Sequence, residues 1–327
     1  MYPTAGLGPP FFLPREKSYP ATMNTSPSSL KQDWQRYWQE ARATGALFRQ
    51  AGTQDHPALN AFWKNALLEE HGPQLDIACG AETVLQHKGL PGPLFAVDVS
   101  SAALLKLRKR YAAAVGVQAD ACGLPFASNA IPQVVSQFGV EYGGVEAFRE
   151  AGRVLAPGGH LLLLCHLEGS AIERTSAAEL RVLETLLDLK FLPAAKAVLN
   201  AAYEGNETAL DHAVHQFIAA ERPLAAALKT GASSLAQHIY DGFRALFENH
   251  GRYAREDALA WLEGAAAQVE EACYRLKAIL GAALNAERRE AALTALTQQG
   301  VQALRTEPLL LPGQRYPVGL VLEGRGA

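Results

Sequence analysis

Leu75-Asp76-Ile77-Ala78-Cys79-Gly80-Ala81-Glu82-Thr83 is the stretch on which the reading of this chain turns. A short run of strand character, Leu75–Ala78, enters a turn of small residues and then helical patterning. A strand that feeds a tight turn and a helix gathers free backbone N–H groups at one point. Small side chains there let a ligand approach the backbone. At the end of the next predicted strand, Leu94–Val97, stands Asp98. In a βαβ unit that position offers a carboxylate to ribose hydroxyls. A dinucleotide site of the G-x-G-x-x-G kind is excluded, because the sequence lacks those glycines.

Working outward, strand and helix patterns alternate from Gln74 to His166, the mark of a parallel sheet. A helix is expected to start over Glu82–His87. An amphipathic helix follows over Ser101–Ala114, with Leu104, Leu105, Leu107 and Tyr111 on its apolar face. Val117–Ala119 and Ile131–Gln137 read as the third and fourth strands. Glu146–Val154 reads as a helix stopped by Leu155-Ala156-Pro157-Gly158-Gly159, and Leu161–Cys165 as the fifth strand. Residues 169–300 are rich in Ala, Leu and Glu, with helical periodicity broken near Gly205, Gly231 and Gly251. Strand patterning returns over Ala303–Leu310 and Pro317–Glu323, around the turn Pro312-Gly313-Gln314. Upstream, residues 1–29 read as a flexible leader, with Met23 as a second plausible start. A helix begins near Ser29 and aligns Trp34, Tyr37, Trp38 and Ala41, and another covers Ala58–Glu70. The expected division is a leader (1–29), an N-terminal helical lid (30–73), a core (74–168), a helical insertion or substrate cap (169–300) and a strand hairpin completing the core sheet (301–327).

With 327 residues, 49% of them hydrophobic and 19% charged, the chain can bury a sizeable core. The net charge of −3 and the absence of a basic run argue against nucleic acid as a partner. No apolar run is long enough for a membrane span or a signal peptide. Cys79, Cys122, Cys165 and Cys273 lack CxxC spacing, which argues against disulfides or structural zinc and fits a reducing cytoplasm. His212 and His215 share a helix face, but two ligands without a third make no metal site, so none is expected.

Four segments in order carry a resemblance. They are Leu75–Gly80, Ala96-Val97-Asp98-Val99-Ser100, Ala119-Asp120-Ala121-Cys122-Gly123-Leu124-Pro125-Phe126, and Ala147-Phe148-Arg149-Glu150-Ala151-Gly152-Arg153-Val154-Leu155-Ala156-Pro157-Gly158-Gly159. Together they resemble the class I S-adenosylmethionine (SAM)-dependent methyltransferases, in particular the ubiquinone/menaquinone methylase-like group. The resemblance covers about half the chain. It implies an α/β, Rossmann-like class I methyltransferase fold, a mixed seven-stranded sheet, here with a large α-helical insertion after the fifth strand. It implies SAM as cofactor and a SAM-dependent transferase acting on a small molecule. Position by position, Asp76, Ala78, Gly80 and Glu82 would line the loop around the methionyl moiety, and Asp98 with Val99 would hold the ribose. Asp120 would meet the adenine amine while Ala121 offers its backbone. Gln137 and Phe138 would stand at the methionyl end.

The first loop departs from the family's acidic-x-Gly-x-Gly-x-Gly. Ala78 and Glu82 replace two glycines, and Gln133 stands where an Asp is common. Three consequences stay open: ordinary methyl transfer, SAM held in an altered pose, or a module that has lost SAM. Glu82, expected in the first turn of a helix, would repel a carboxylate and attract an ammonium. Methyl transfer needs alignment first and a base only where the acceptor loses a proton. Candidates for that chemistry are Tyr142, Glu141 and His166, beyond the fourth and fifth strands, where ligands of such sheets bind. Trp34, Tyr37 and Trp38 read as core or as a lid. The insertion's Phe191, Leu192, Phe217, Ile239, Tyr240, Phe243, Phe247, Tyr253, Trp261 and Tyr274 suggest a closed pocket or a homodimer seam. Two alternatives to methyl transfer remain. One is cleavage of another C–S bond with release of methylthioadenosine, as in azetidine-2-carboxylate synthase-like cyclisation or aminocarboxypropyl transfer. The other is a non-catalytic SAM-binding partner protein.

Overall fold

The computed structural model describes residues 34–35, 37–39, 57–68, 72–87 and 92–327. The leader and the helix start near Ser29 lie outside the described residues. The strands are β1 (Gln74–Ile77), β2 (Leu94–Asp98), β3 (Ala114–Gln118), β4 (Ile131–Gln137), β5 (Leu155–Cys165), β6 (Val301–Leu309) and β7 (Gly319–Gly326). They form one sheet in the order β3-β2-β1-β4-β5-β7-β6. β1 to β5 are parallel, and β7 is antiparallel to both β5 and β6. This is the mixed seven-stranded sheet that the resemblance implies.

β1 is buried along its whole length and β4 nearly so, as strands covered on both faces must be. One face of the sheet packs Leu75, Ile77, Val134, Leu161 and Leu163 against Phe148 and Leu296 of two covering helices. The other packs Val135, Leu162 and Leu164 against Leu59, Trp63 and Leu67. The reversal of strand order lies between β1 and β4, so the crevice above their C-terminal ends is where a ligand belongs.

Several boundaries differ from the sequence reading. The helix expected from Ser101 ends at Arg110, because Ala114 already pairs with Leu94 and opens β3. β5 starts at Leu155, with Leu155 opposite Ile131 and His160 opposite Gln133, so Ala156–Gly159 bulges out of register. Among the described residues no α-helix follows β1 before β2. A single 3₁₀ turn, Val84–His87, stands among the described residues there, with Val84 and Leu85 buried against Trp63 and Val135.

The helices Ala171–Asp188, Phe191–Glu204, Glu207–Leu228, Ser234–Glu248 and Arg255–Ala282 follow β5. Their starts are marked by side-chain caps: Ser170, Asn206 and Ser233 each accept a hydrogen bond from the backbone N–H three residues on. These helices share a core of their own, built on Leu183, Phe191, Leu199, Ile239, Phe243 and Leu262. Phe217, Tyr240, Phe247 and Trp261 pack against it. Most of the aromatic residues that suggested a pocket or a seam are therefore consumed inside the insertion, and Tyr253 lies exposed. The next helix, Ala286–Gln298, packs instead on Gly144–Val154 with the sheet's core. Chain leaves and returns at one point: Leu284 donates to the His166 carbonyl (2.8 Å) and Glu168 to that of Leu284 (3.2 Å).

Phe243 contacts Phe217 and Phe247 and is buried in that separate core. Phe243→Ala is expected to cost about 3–5 kcal/mol, measured as a fall in the urea midpoint. A change within a few tenths would show that the insertion has no core of its own.

Candidate cofactor and acceptor site

The turn after β1 is built on two buried carboxylates. Asp98 takes the Gly80 N–H on one oxygen and the Ser100 N–H on the other, each at 2.8 Å. Asp76 sits beneath the loop and accepts from the Val84 N–H at 3.0 Å and from Thr83. Burial pushes the Asp98 carboxyl above the usual range and the Asp76 carboxyl up to about 7, the bound donors opposing it in both. Ala78 and Gly80 both adopt left-handed φ, +54° and +60°. For Ala78 this is a strained substitute for glycine. Ser136 fastens the turn to β4, donating to the Ile77 carbonyl (2.7 Å) and accepting from the Val140 N–H (3.1 Å).

Glu82 does not stand on a helix and does not face the turn's interior. With no α-helix after β1 it extends toward Arg110, at the far end of Ser101–Arg110, and forms an ion pair there. The anion expected to steer a methionyl group is thus turned to a partner in the protein. Asp76 likewise holds the loop rather than opening toward a ligand. Gln137 accepts the Trp63 indole N–H, which engages its carbonyl oxygen. Val99 is half-buried, its carbonyl taking the Gln118 amide at 3.2 Å. Asp120 and Ala121 are also half-buried, and Asp120 accepts from the Cys122 N–H at 2.9 Å.

The described helical residues near the N-terminus cover this turn. A Cβ on Gly80 would lie 2.6 Å from the Trp38 ring, so only glycine admits that indole. Gln35 binds the start of the next helix, accepting from Ser100 Oγ (2.9 Å) and donating to Ser101 Oγ (3.2 Å). Trp34 stands edge-on to Tyr142, ring centroids 5.3 Å apart.

Beyond β4 and β5 the three candidates for chemistry meet. Glu141 Oε1 accepts both the His166 backbone N–H (2.7 Å) and its Nδ1–H (2.6 Å). A carboxylate only accepts, so it places a proton on Nδ1, and in the neutral ring Nε2 then keeps its lone pair. Both side chains are completely buried. Tyr142 packs edge-on to the imidazole at 5.6 Å and Phe138 lies 4.8 Å from it. Burial first, then the Glu141 charge, pushes the Tyr142 hydroxyl well above its usual range. Glu141 Oε2, the Tyr142 hydroxyl and His166 Nε2 are all buried without a hydrogen-bond partner among the described residues. Such orphaned atoms in a native interior call for a ligand or a water.

Residues 75–163 match the family model described as a methyltransferase domain. That segment of the chain is similar to a methyltransferase domain. A 123-residue stretch is 32% identical to the ubiquinone/menaquinone biosynthesis C-methyltransferase UbiE of Roseobacter denitrificans, covering 32% of this chain and 49% of that protein. The chain thus spans about half the length of that curated relative. Among solved structures, YcgJ from Bacillus subtilis aligns at 22% identity and a TM-score of 0.32, over 38% of this chain and 58% of that one. A geranyl diphosphate methyltransferase in complex with GPP and sinefungin aligns at 17% identity and a TM-score of 0.35, over 42% and 66%.

SAM is the cofactor of this family, and the residues present fit it. Each Asp98 oxygen spends one acceptor site on the backbone and keeps another for a ribose hydroxyl. The orphaned Glu141 and Tyr142 oxygens suit a cationic group at the strands' edge. Among the described residues no cluster of His, Cys, Asp and Glu is placed to hold a metal ion. Among them, too, no helix is long and apolar enough to cross a membrane. The sequence did not single out Gln35 or Ser136, nor Arg275, whose guanidinium lies over the Tyr37 ring 5.3 Å from the centroid, nor Glu179, which feels its charge. Arg275 and Glu179 are charged residues on long helices, a pattern that ordinarily marks a solvated face.

The raised Asp76 carboxyl has a consequence for stability. The folded chain holds this proton more tightly than the unfolded one, with its ordinary value of 3.8. The contribution is full below that value and is lost as pH rises through about 7. Asp76→Asn keeps an acceptor for the Val84 N–H without a charge to bury. Its urea midpoint should vary less with pH across that window than the wild type's. An identical pH dependence would contradict burial of Asp76.

Proposed function

We propose that the chain is a SAM-dependent methyltransferase whose small-molecule acceptor loses a proton to His166. The observation that carries this reading is the buried Glu141–His166 pair, with Nε2 unpartnered among the described residues beyond the C-terminal ends of β4 and β5. When bound, SAM supplies an electrophilic methyl carbon, whose bond to sulfur breaks with the electron pair remaining on sulfur. Asp98 holds the ribose hydroxyls, and Asp76 keeps the turn beneath them in shape. His166 Nε2 accepts the proton that leaves the acceptor's nucleophile, and Glu141 orients the ring and favours the imidazolium that forms. Phe138 and Tyr142 wall the imidazole, and Trp34 and Trp38 exclude water from above, which strengthens each of these interactions. The first turn, with Ala78 for glycine and Glu82 paired to Arg110, supports this chemistry without a carboxylate aimed at the methionyl group.

The test is to incubate the protein with SAM and a small-molecule metabolite extract and to follow the nucleoside products by mass spectrometry. S-adenosylhomocysteine (SAH) should accumulate only when the extract is present. His166→Gln should slow its formation by about a hundredfold or more while leaving SAH affinity intact. Methylthioadenosine as the product would overturn methyl transfer, and an undiminished His166→Gln rate would remove His166 as the base.

A further inference from the structure

Arg275 comes from the inserted helix Arg255–Ala282, the insertion's return path to the core. Other cations of that helix have partners. Arg255 reaches Asn200 and Glu204, and Lys277 pairs with Glu184 at 2.9 Å. Arg275 is half-buried, and among the described residues its guanidinium has no hydrogen bond and no ion pair. It lies over the Tyr37 ring, 5.3 Å from the centroid. Its charge reaches Tyr142 on one side and Glu179 on the other, and Glu179 is engaged with Ser233. Tyr37 packs on Trp38, the indole over Gly80, and on Trp34, the indole against Tyr142. One ring of contacts therefore joins the cofactor turn, the orphaned Tyr142 hydroxyl and this arginine.

A guanidinium presents five donors in a planar fork that matches a carboxylate in two parallel hydrogen bonds. Solvent reaches those donors, and a carboxylate that displaces it gains two charge-assisted hydrogen bonds without first breaking an ion pair within the protein. The unpartnered Tyr142 hydroxyl, buried and within reach of the Arg275 charge, marks the same place as incomplete. We infer that Arg275 is the receptor for a carboxylate, delivered by the insertion to the aromatic cluster above the sheet's edge. This rests on the cofactor reading above. The carboxylate has two possible sources, the methionyl end of the cofactor or the acceptor, and the binding partners of one variant separate them.

The experiment titrates wild type, Arg275→Gln and Arg275→Lys with SAH, with methylthioadenosine, which lacks the amino-acid end, and with benzoate against benzamide. If the carboxylate is the cofactor's, Arg275→Gln weakens SAH by about thirtyfold or more and leaves methylthioadenosine unchanged. If it is the acceptor's, SAH affinity stays and SAH-loaded wild type binds benzoate over benzamide, a preference lost in Arg275→Gln. In either case Arg275→Lys falls between, which separates charge from fork geometry. The inference is overturned if SAH affinity is unchanged and wild type does not distinguish benzoate from benzamide. Wild type that binds neither nucleoside contradicts the cofactor reading alone, and the benzoate comparison on the ligand-free protein still decides the role of Arg275.

Discussion

Backbone N–H groups from two different loops converge on the Asp98 carboxylate, and much of the site hangs on that convergence. One N–H belongs to Gly80 in the first turn and the other to Ser100 at the head of the following helix. Ser100 in turn caps that helix through Ala103 N–H and holds Gln35, while Gly80 is the residue that admits the Trp38 ring. Turn, helix start and covering aromatics are thus registered to one buried acid. Burial alone disfavours its charge, and the two backbone donors offset part of that cost. Ribose hydroxyls would add donors of the same kind, so the interaction that shapes the apo turn is the one a nucleoside completes.

A second constraint ties the chemistry to the insertion. His166 gives its side chain and its backbone N–H to Glu141, and its carbonyl accepts from Leu284, where the chain re-enters the core. His166 is thereby held through its ring by the turn after β4 and through its backbone by the returning chain. The helix just before that return carries Arg275 to Tyr37. An insertion with its own apolar core can act as a rigid arm, placing a charge at the site through one helix rather than lining the site with its aromatics.

The alternating elements and the closing hairpin were legible because strand period and small-residue turns leave local marks. The positions of Asp98, the last residue of β2, and His166, just past β5, were legible for the same reason. The Glu141–His166 contact was not, since it joins residues from separate strand ends and only the pairing of β4 with β5 brings them together. Nor was the missing helix after β1. Glu82–His87 has helical patterning, but Val84 and Leu85 are drawn into the core beside Trp63, and a single 3₁₀ turn is what remains. Glu82 consequently lost the role its sequence position suggested and gained Arg110. Arg275 left no mark at all, because the value of a charge on a long helix depends on what tertiary packing sets beside it.

The central claim is that a nucleoside cofactor is held by Asp98 above the first turn. Calorimetric titration of SAH into wild type and into Asp98→Ala tests it most directly. Saturable single-site binding by the wild type, lost in the variant while the variant's helical circular dichroism is retained, is the expected result. Absence of binding by the wild type, or equal affinity in the two proteins, would contradict it.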